Sequence, residues 1–353
     1  MKNLKKVLSL VLALAMALSL MTAAFAADAS DYKDYSKVTY KEAVDVMTAA
    51  GIFNGGDGNN FNPDATLNRE QAAKIITYML VGQTQADKLT TTVAPYADVA
   101  ATRWSAGSIA YCTNEGIIAG DGNGRFNPTA PVLGTQFAKM LLVAVGYDPK
   151  IEGFEGADWA INVSVRADEQ GIFEGFTKDL SAPLNRDDAA LLIYNALDVE
   201  MIQSYTTNNY PIVYSDHRTI LSDKYGVIKV EGVVTANEWA ILDDDTDTAL
   251  QEGKTRIYNP DGILSTTGNT AVAQDSSANV KTQVFNVSTP VDMLGKAVTM
   301  YVKKTTILAD STVYGAPVVS DVNTVIETGE KVTGGDSKDD DSLAALLKGT
   351  GLA

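Results

Sequence analysis

One unit written three times constrains this chain more than any other feature, because a short repeat cannot bury an apolar face without its neighbours. The copies run GIFNGGDGNNFNPDATLNREQAAKIITYMLVG from Gly51, GIIAGDGNGRFNPTAPVLGTQFAKMLLVAVGY from Gly116 and GIFEGFTKDLSAPLNRDDAALLIYNALD from Gly171. The first two align without a gap, Phe61 with Phe126, Pro63 with Pro128, Gln71 with Gln136 and Lys74 with Lys139. The third has a shorter loop and rejoins at Leu184-Asn185-Arg186, opposite Leu67-Asn68-Arg69.

Each copy reads as helix, glycine-rich loop, helix. In the second helix apolar residues fall three and four apart: Ala72, Ile75, Ile76, Met79 and Leu80; Phe137, Met140, Leu141, Ala144 and Val145; Ala189, Leu192, Ile193, Ala196 and Leu197. That spacing lays one stripe along each helix. Three short striped helices bury those faces most economically against one another. The helix starts are legible too. Asn68 is placed to cap free backbone N–H groups with Gln71 reaching back, and Asn185 is matched by Asp188. Arg69 and Arg186 then put a cation at the positive end of a helix, which costs a few tenths of a kcal/mol up to about one. Either a neighbouring acid pairs with each arginine, or the position is an anion site, since helix N-termini and guanidinium both favour carboxylate or phosphate. The second copy has Leu133 and Gly134 there, so both the cap and the arginine are missing.

These residues carry a family resemblance. An aromatic-x-Asp-Val start (Tyr96-Ala97-Asp98-Val99), a tryptophan twelve residues before Gly-Ile (Trp104 and Trp159), G-I-x-x-G, F-x-P and a T-R-A-E-like helix start together resemble S-layer homology repeats. The likeness runs from about Asp31 to Asp198. It implies a three-pronged, pseudo-threefold helical domain whose grooves bind a secondary cell-wall polymer, with pyruvylated sugar ends among the known ligands. By position it gives polysaccharide-binding roles to Arg69, Arg186, Asn68, Asn185, Trp104, Trp159 and Asp98. The first repeat has Thr39 in place of the tryptophan and only a loose aromatic start, Tyr32-Lys33-Asp34.

The rest of the chain sets the context. Residues 1–26 combine Lys2, Lys5 and Lys6 with an apolar run, Val7 to Leu20, and end Ala24-Phe25-Ala26, the pattern of a secretory signal peptide cleaved after Ala26. Removal of three lysines takes the formal net charge from −16 to −19. Such a charge argues against nucleic acid and anionic lipid as partners, and no membrane association is expected after cleavage. The single cysteine, Cys112, sits among apolar helix positions and reads as a buried, inert thiol. The one histidine, His217, removes His-cluster metal sites and leaves a Ser-His-Asp arrangement without local support. No enzyme, cofactor or metal is expected.

The expected fold class is therefore α+β and multidomain. Repeats at 28–88, 92–148 and 151–200 precede a small β-rich domain at 210–332, in which Gly226–Thr235, Lys281–Val287 and Lys296–Lys303 read as strands. That domain resembles an OB-like barrel. An acidic tail, GGDSKDDD, lies within 333–353 and reads as disordered. The expected function is non-covalent anchoring of a secreted protein to the bacterial cell surface through an acidic secondary wall polysaccharide. Two alternatives are a structural lattice protein whose repeats bind other copies of itself, and a wall-modifying enzyme with an unrecognised catalytic part.

Overall fold

A computed structural model describes residues 29–56, 58–242, 249–260, 281–303 and 312–319. The expected signal peptide and acidic tail lie outside the described residues. The chain divides into two compact units, Met1–Tyr225 and Gly226–Ala353.

In the first unit each repeat supplies two helices. They are α1 (Lys41–Ala49) and α2 (Arg69–Val81), then, after the short α3 (Gln83–Ala86), α4 (Ala106–Asn114) and α5 (Gly134–Ala144), and finally α6 (Trp159–Glu169) and α7 (Arg186–Leu197). The first helix of each repeat packs on the second helix of the preceding one: α4 on α2, α6 on α5, and α1 back on α7. The stripes face inward as the spacing requires, with Ala72, Ile76, Met79, Phe137, Leu141, Ala189, Leu192 and Ala196 fully buried.

Backbone hydrogen bonds close the same cycle. Leu67 donates to the Leu184 carbonyl, Leu184 to Val132, and Val132 to Leu67, at 2.8, 3.0 and 3.0 Å. These three residues occupy matching positions in the repeats. The ring satisfies backbone groups that would otherwise be buried unpaired where the three loops converge.

Beyond α7 the chain was expected to leave the helical domain near residue 200. It continues in the first unit through a hairpin, β1 (Ile202–Tyr205) and β2 (Pro211–Val213), and a short helix, α8 (Ile220–Lys224). Ile202 donates to the Val145 carbonyl at 2.9 Å. Gly146 lies at φ +107°, and a Cβ there would meet the Ile202 carbonyl oxygen at 2.7 Å, so only glycine fits this crossing. Tyr205 donates to Glu152, and Tyr225 places its hydroxyl on the Tyr78 and Met79 carbonyls at the end of α2. Helix ends leave carbonyls such as that of Met79 without intrahelical partners, while that of Tyr78 also accepts from the capping Gly82 N–H at 2.8 Å. The segment 199–225 is thus a strap on the helical domain.

The second unit is an antiparallel sheet of β3 (Val227–Ala236), β4 (Thr255–Tyr258), β5 (Thr282–Phe285), β6 (Ala297–Lys303) and β7 (Val313–Val319), in the order β5-β4-β3-β6-β7. Ile228, Val230, Val234, Ile257, Phe285, Val298, Met300 and Val302 form its core. Among the described residues no pairing joins β5 to β7, so the sheet is open there.

Candidate functional site

The sites grow from the second-helix starts. Asn68 Oδ1 accepts from the Gln71 N–H at 2.9 Å while Gln71 Oε1 accepts from the Asn68 N–H at 3.0 Å. Asn185 and Asp188 repeat this at 2.7 and 3.3 Å. Both expected caps are therefore formed. At Leu133 only the return bond exists, from its N–H to Gln136 Oε1 at 3.2 Å, because leucine has no oxygen to offer.

Each helix start is pressed against the loop of the next repeat. The N–H groups of Arg69 and Glu70 donate to Ala130 and Pro128, those of Gly134 and Thr135 to Ala182 and Leu180, and those of Arg186 and Asp187 to Ala65 and Pro63. Three equivalent joints result: first repeat to second, second to third, third to first.

At two joints an arginine reaches across. Arg69 Nε donates to the Phe126 carbonyl at 2.9 Å and Nη2 to Ala119 at 2.8 Å, with the guanidinium 4.6 Å from the Phe126 ring centroid. Arg186 does the same toward Phe61 and Asn54, at 2.8 and 3.1 Å, over the rings of Phe53 and Phe61. No carboxylate lies within ion-pair distance of either arginine among the described residues, so the pairing with a neighbouring acid is not what holds them. Burial pushes both guanidinium pKa values down, opposed by more distant tyrosines and aspartates. Two carbonyls fix one edge of each guanidinium, leaving the end edge, Nη1 with the second Nη2 hydrogen, without a protein partner among the described residues. The result is a half-buried cation with fixed geometry and no counter-charge.

The next residue of each helix makes the second clamp. Glu70, buried, accepts from Arg103 through both oxygens at 2.7 Å and from Ser105 at 2.6 Å. Burial raises its pKa, but the Arg103 and Ser105 bonds outweigh that and hold it below the usual carboxylate range. Asp187 accepts from the backbone N–H groups of Thr39 and Tyr40 at 2.8 and 3.4 Å, at the start of α1, where an acid complements the helix dipole. Sequence reasoning passed over both acids; their shared position directly after the arginine was the available signal.

Asp98 lies inside its own repeat. It accepts from the N–H groups of Phe126 and Asn127 at 2.8 and 2.7 Å, fixing the turn in which Asn127 adopts φ +57°. Asp34 does the same for Phe61 and Asn62, at 2.7 Å each, so the loose motif Tyr32-Lys33-Asp34 folds like its stricter counterpart. Trp104 is 58% exposed beside Arg103, at the first joint. Trp159, half-buried, begins α6 at the joint between the second and third repeats, with Lys139 Nζ 5.8 Å from its ring centroid. The structure thus brings Asn68 and Arg69 to one joint with Trp104 nearby, Asn185 and Arg186 to another, and Trp159 to the third.

At that third joint Gly134 is buried, and a Cβ there would meet both Cα and O of Leu180 at 2.9 Å. The shorter loop of the third repeat fills the place an arginine would take.

A repeat whose helix start grips its neighbour's glycine-rich loop defines a cyclic, repeat-built helical domain. The S-layer homology domain profile matches residues 31–73 and 95–138. A cell surface protein of Thermoanaerobacter kivui is 28% identical over 269 residues, 75% of this chain and 32% of that protein. The middle cell wall protein of Brevibacillus brevis is 28% identical over 56% of this chain and 18% of its own length. A surface layer protein of Brevibacillus choshinensis is 28% identical over 56% of this chain and 17% of its length. The chain spans a third or less of these relatives. The chain thus carries two segments that match the S-layer homology domain, and it is similar to proteins of the bacterial cell surface. Among the described residues no helix is long and apolar enough to cross a membrane.

Proposed function

We propose that the first unit anchors the chain non-covalently to the cell wall by binding an acidic secondary wall polysaccharide, with a pyruvylated sugar as the recognised end. The observation that carries this reading is the pair of half-buried arginines, Arg69 and Arg186, each held by two carbonyls and lacking a counter-charge. A free guanidinium edge matches the two oxygens of a carboxylate. Asn68 and Asn185 set the helix start that carries each arginine, Asp98 shapes the loop opposite Arg69, and Trp104, next in sequence to Arg103, supplies an exposed ring face for a sugar. The cyclic ring of hydrogen bonds supports the pseudo-threefold arrangement. In the second unit the five-stranded antiparallel order β5-β4-β3-β6-β7 supports an OB-like reading.

The test is sedimentation of the protein with purified walls before and after chemical removal of the non-peptidoglycan polymer. Binding that disappears with the polymer supports the reading; binding that survives its removal overturns it.

A lattice role is the second reading. The likeness to the Thermoanaerobacter cell surface protein covers 75% of the chain, more than the first unit holds, so it reaches into the sheet. The relatives carry names of surface and wall proteins, which favours a structural over a catalytic role.

A further inference from the structure

We propose that Asn54 is a self-modifying site: its side-chain amide is lost to water through a ring closed by the Gly55 nitrogen, and the carboxylate left behind neutralises Arg186 and loosens that joint's hold on the wall. The loosening rests on the wall-polymer reading above; the modification does not.

The chain holds two Asn-Gly bonds, Asn54-Gly55 and Asn123-Gly124, both in the glycine-rich loops. Asparagine is a thermolabile residue, and a following glycine has no Cβ to shield the backbone nitrogen that attacks it. Asn54 and Gly55 are both exposed, and among the described residues neither the Asn54 side chain nor the Gly55 N–H has a hydrogen-bond partner. Both reacting groups are therefore unrestrained. A Cβ at Gly55 would meet the Tyr32 ring at 2.8 Å and Asn59 Oδ1 at 3.0 Å, so the fold retains the glycine that makes Asn54 labile.

The position matters because an arginine grips it. The Asn54 carbonyl is one of the two that hold Arg186, accepting from Nη2 at 3.1 Å. Asn123 stands elsewhere in its loop: Arg69 holds Ala119 and Phe126, and the Asn123 N–H is tied to Asp121 at 2.8 Å. The residues matching Asn54 in the other repeats are Ala119 and Glu174. The Glu174 carbonyl accepts from Asn195 rather than from an arginine. An acid thus occupies this position only in the loop that no arginine grips.

The chemistry needs water alone. The Gly55 nitrogen bonds to Asn54 Cγ, the Cγ–Nδ2 bond breaks, and ammonia leaves carrying the proton from that nitrogen. Water then opens the five-membered ring. Opening at Cγ gives aspartate. Opening at the backbone carbonyl gives isoaspartate, in which the chain runs through Cγ and the carbonyl that Arg186 holds becomes a free carboxylate. Either product is ionised at neutral pH and gives Arg186 the counter-charge it lacks, which reduces its attraction for an added anion.

The test is to age the full chain in warm, mildly alkaline buffer, map its peptides, separate the more acidic fraction by anion exchange and sediment it with purified walls. Asn54 is expected to convert ahead of Asn123, and the converted fraction to bind walls about tenfold more weakly at an unchanged melting temperature. Asn54→Asp should weaken binding in the same direction without ageing. Asn54→Gln, whose longer side chain closes the ring poorly, should hold its initial affinity through the same incubation. In Arg186→Ala, ageing should leave affinity where that variant began. An intact Asn54 beside a converted Asn123 would overturn the site. A converted fraction that binds like fresh protein, or an ageing loss as large in Arg186→Ala as in wild type, would overturn the action through Arg186. Wild-type wall affinity in fresh Arg186→Ala would overturn the anchoring reading and the loosening together, while the peptide map still decides the conversion.

Discussion

The joints at Arg69 and Arg186 and the joint at Gly134 are built on one backbone pattern and differ in nearly every side chain. All three press two helix-start N–H groups onto the neighbouring loop. At the first, a guanidinium and a carboxylate bridge the repeats, and at the third-to-first joint a guanidinium and Asp187 do the same over a sequence separation of more than a hundred residues. At Gly134 the helix carries neither group, and Thr135 reaches only the Leu180 carbonyl, at 3.3 Å. The difference teaches that the fold is specified by the backbone cycle and the apolar stripes, while the charged groups are additions that each joint keeps or loses separately. A half-buried cation without a counter-charge adds little to stability by itself, so its presence at two joints is better explained by what it receives.

The comparison is broken most severely by separating the repeats. Because each first helix packs on the preceding repeat, one repeat expressed alone leaves both faces bare and is expected to be molten or aggregated. A cooperative thermal transition in a monomeric single repeat would contradict the shared core. Truncation comes next. A chain ending at Glu200 loses the strap and the Tyr225 hydroxyl on α2, and should melt well below one ending at Tyr225, which should match the full chain in wall binding. Equal melting of the two truncated forms would show that 201–225 only decorates the unit.

Forcing an arginine onto the third joint sharpens the contrast. Gly134→Arg drives a side chain into the Leu180 backbone and should cost about 3 kcal/mol in denaturant unfolding, in the upper range for overpacking. A neutral or stabilising result would mean the third loop can yield. Smaller is the loss from Arg103→Ala, which strands the buried Glu70 carboxylate with Ser105 alone and should cost about 2 kcal/mol, below a fully buried pair because Arg103 is partly exposed. This pair also has a pH signature. Glu70 is held below its unfolded pKa of about 4.3, so its contribution is fully present above that value and is lost as pH falls through the folded pKa. Glu70→Gln should flatten the acid side of the stability profile, and an unchanged slope there would remove Glu70 from the account.

Much of this was legible in the sequence, for local reasons. The stripes, the two capping boxes and the missing cap at Leu133 are written in spacings of three and four, which a helix converts directly into faces and ends. The arginine positions were legible as well, but not their partners: nothing in the spacing says that Arg69 grips the second repeat's loop or that Arg186 returns to the first. Those contacts depend on the direction of the cycle, a property of the whole chain. The same non-locality hid Glu70 and Asp187, which looked like ordinary first-turn acids. It also put the start of the β-rich domain at residue 210, whereas the chain through Tyr225 stays with the helical unit. In the second unit β3, β5 and β6 were plain from their valine-bearing runs, while β4, Thr-Arg-Ile-Tyr, has a single aliphatic residue and lies in no such run.

The central claim is that the uncompensated arginines are the wall-binding groups, and the double variant Arg69→Ala/Arg186→Ala tests it most directly. Each guanidinium is expected to contribute roughly 1.5 to 3 kcal/mol through charge-assisted hydrogen bonds, about ten- to a hundredfold in affinity at its joint, with avidity multiplying the two. The arginines also tie loops through backbone carbonyls, so the variant's melting curve must be recorded beside its binding. The account predicts a folded protein whose sedimentation with intact walls falls at least a hundredfold in affinity; a folded variant that sediments at wild-type affinity would contradict it.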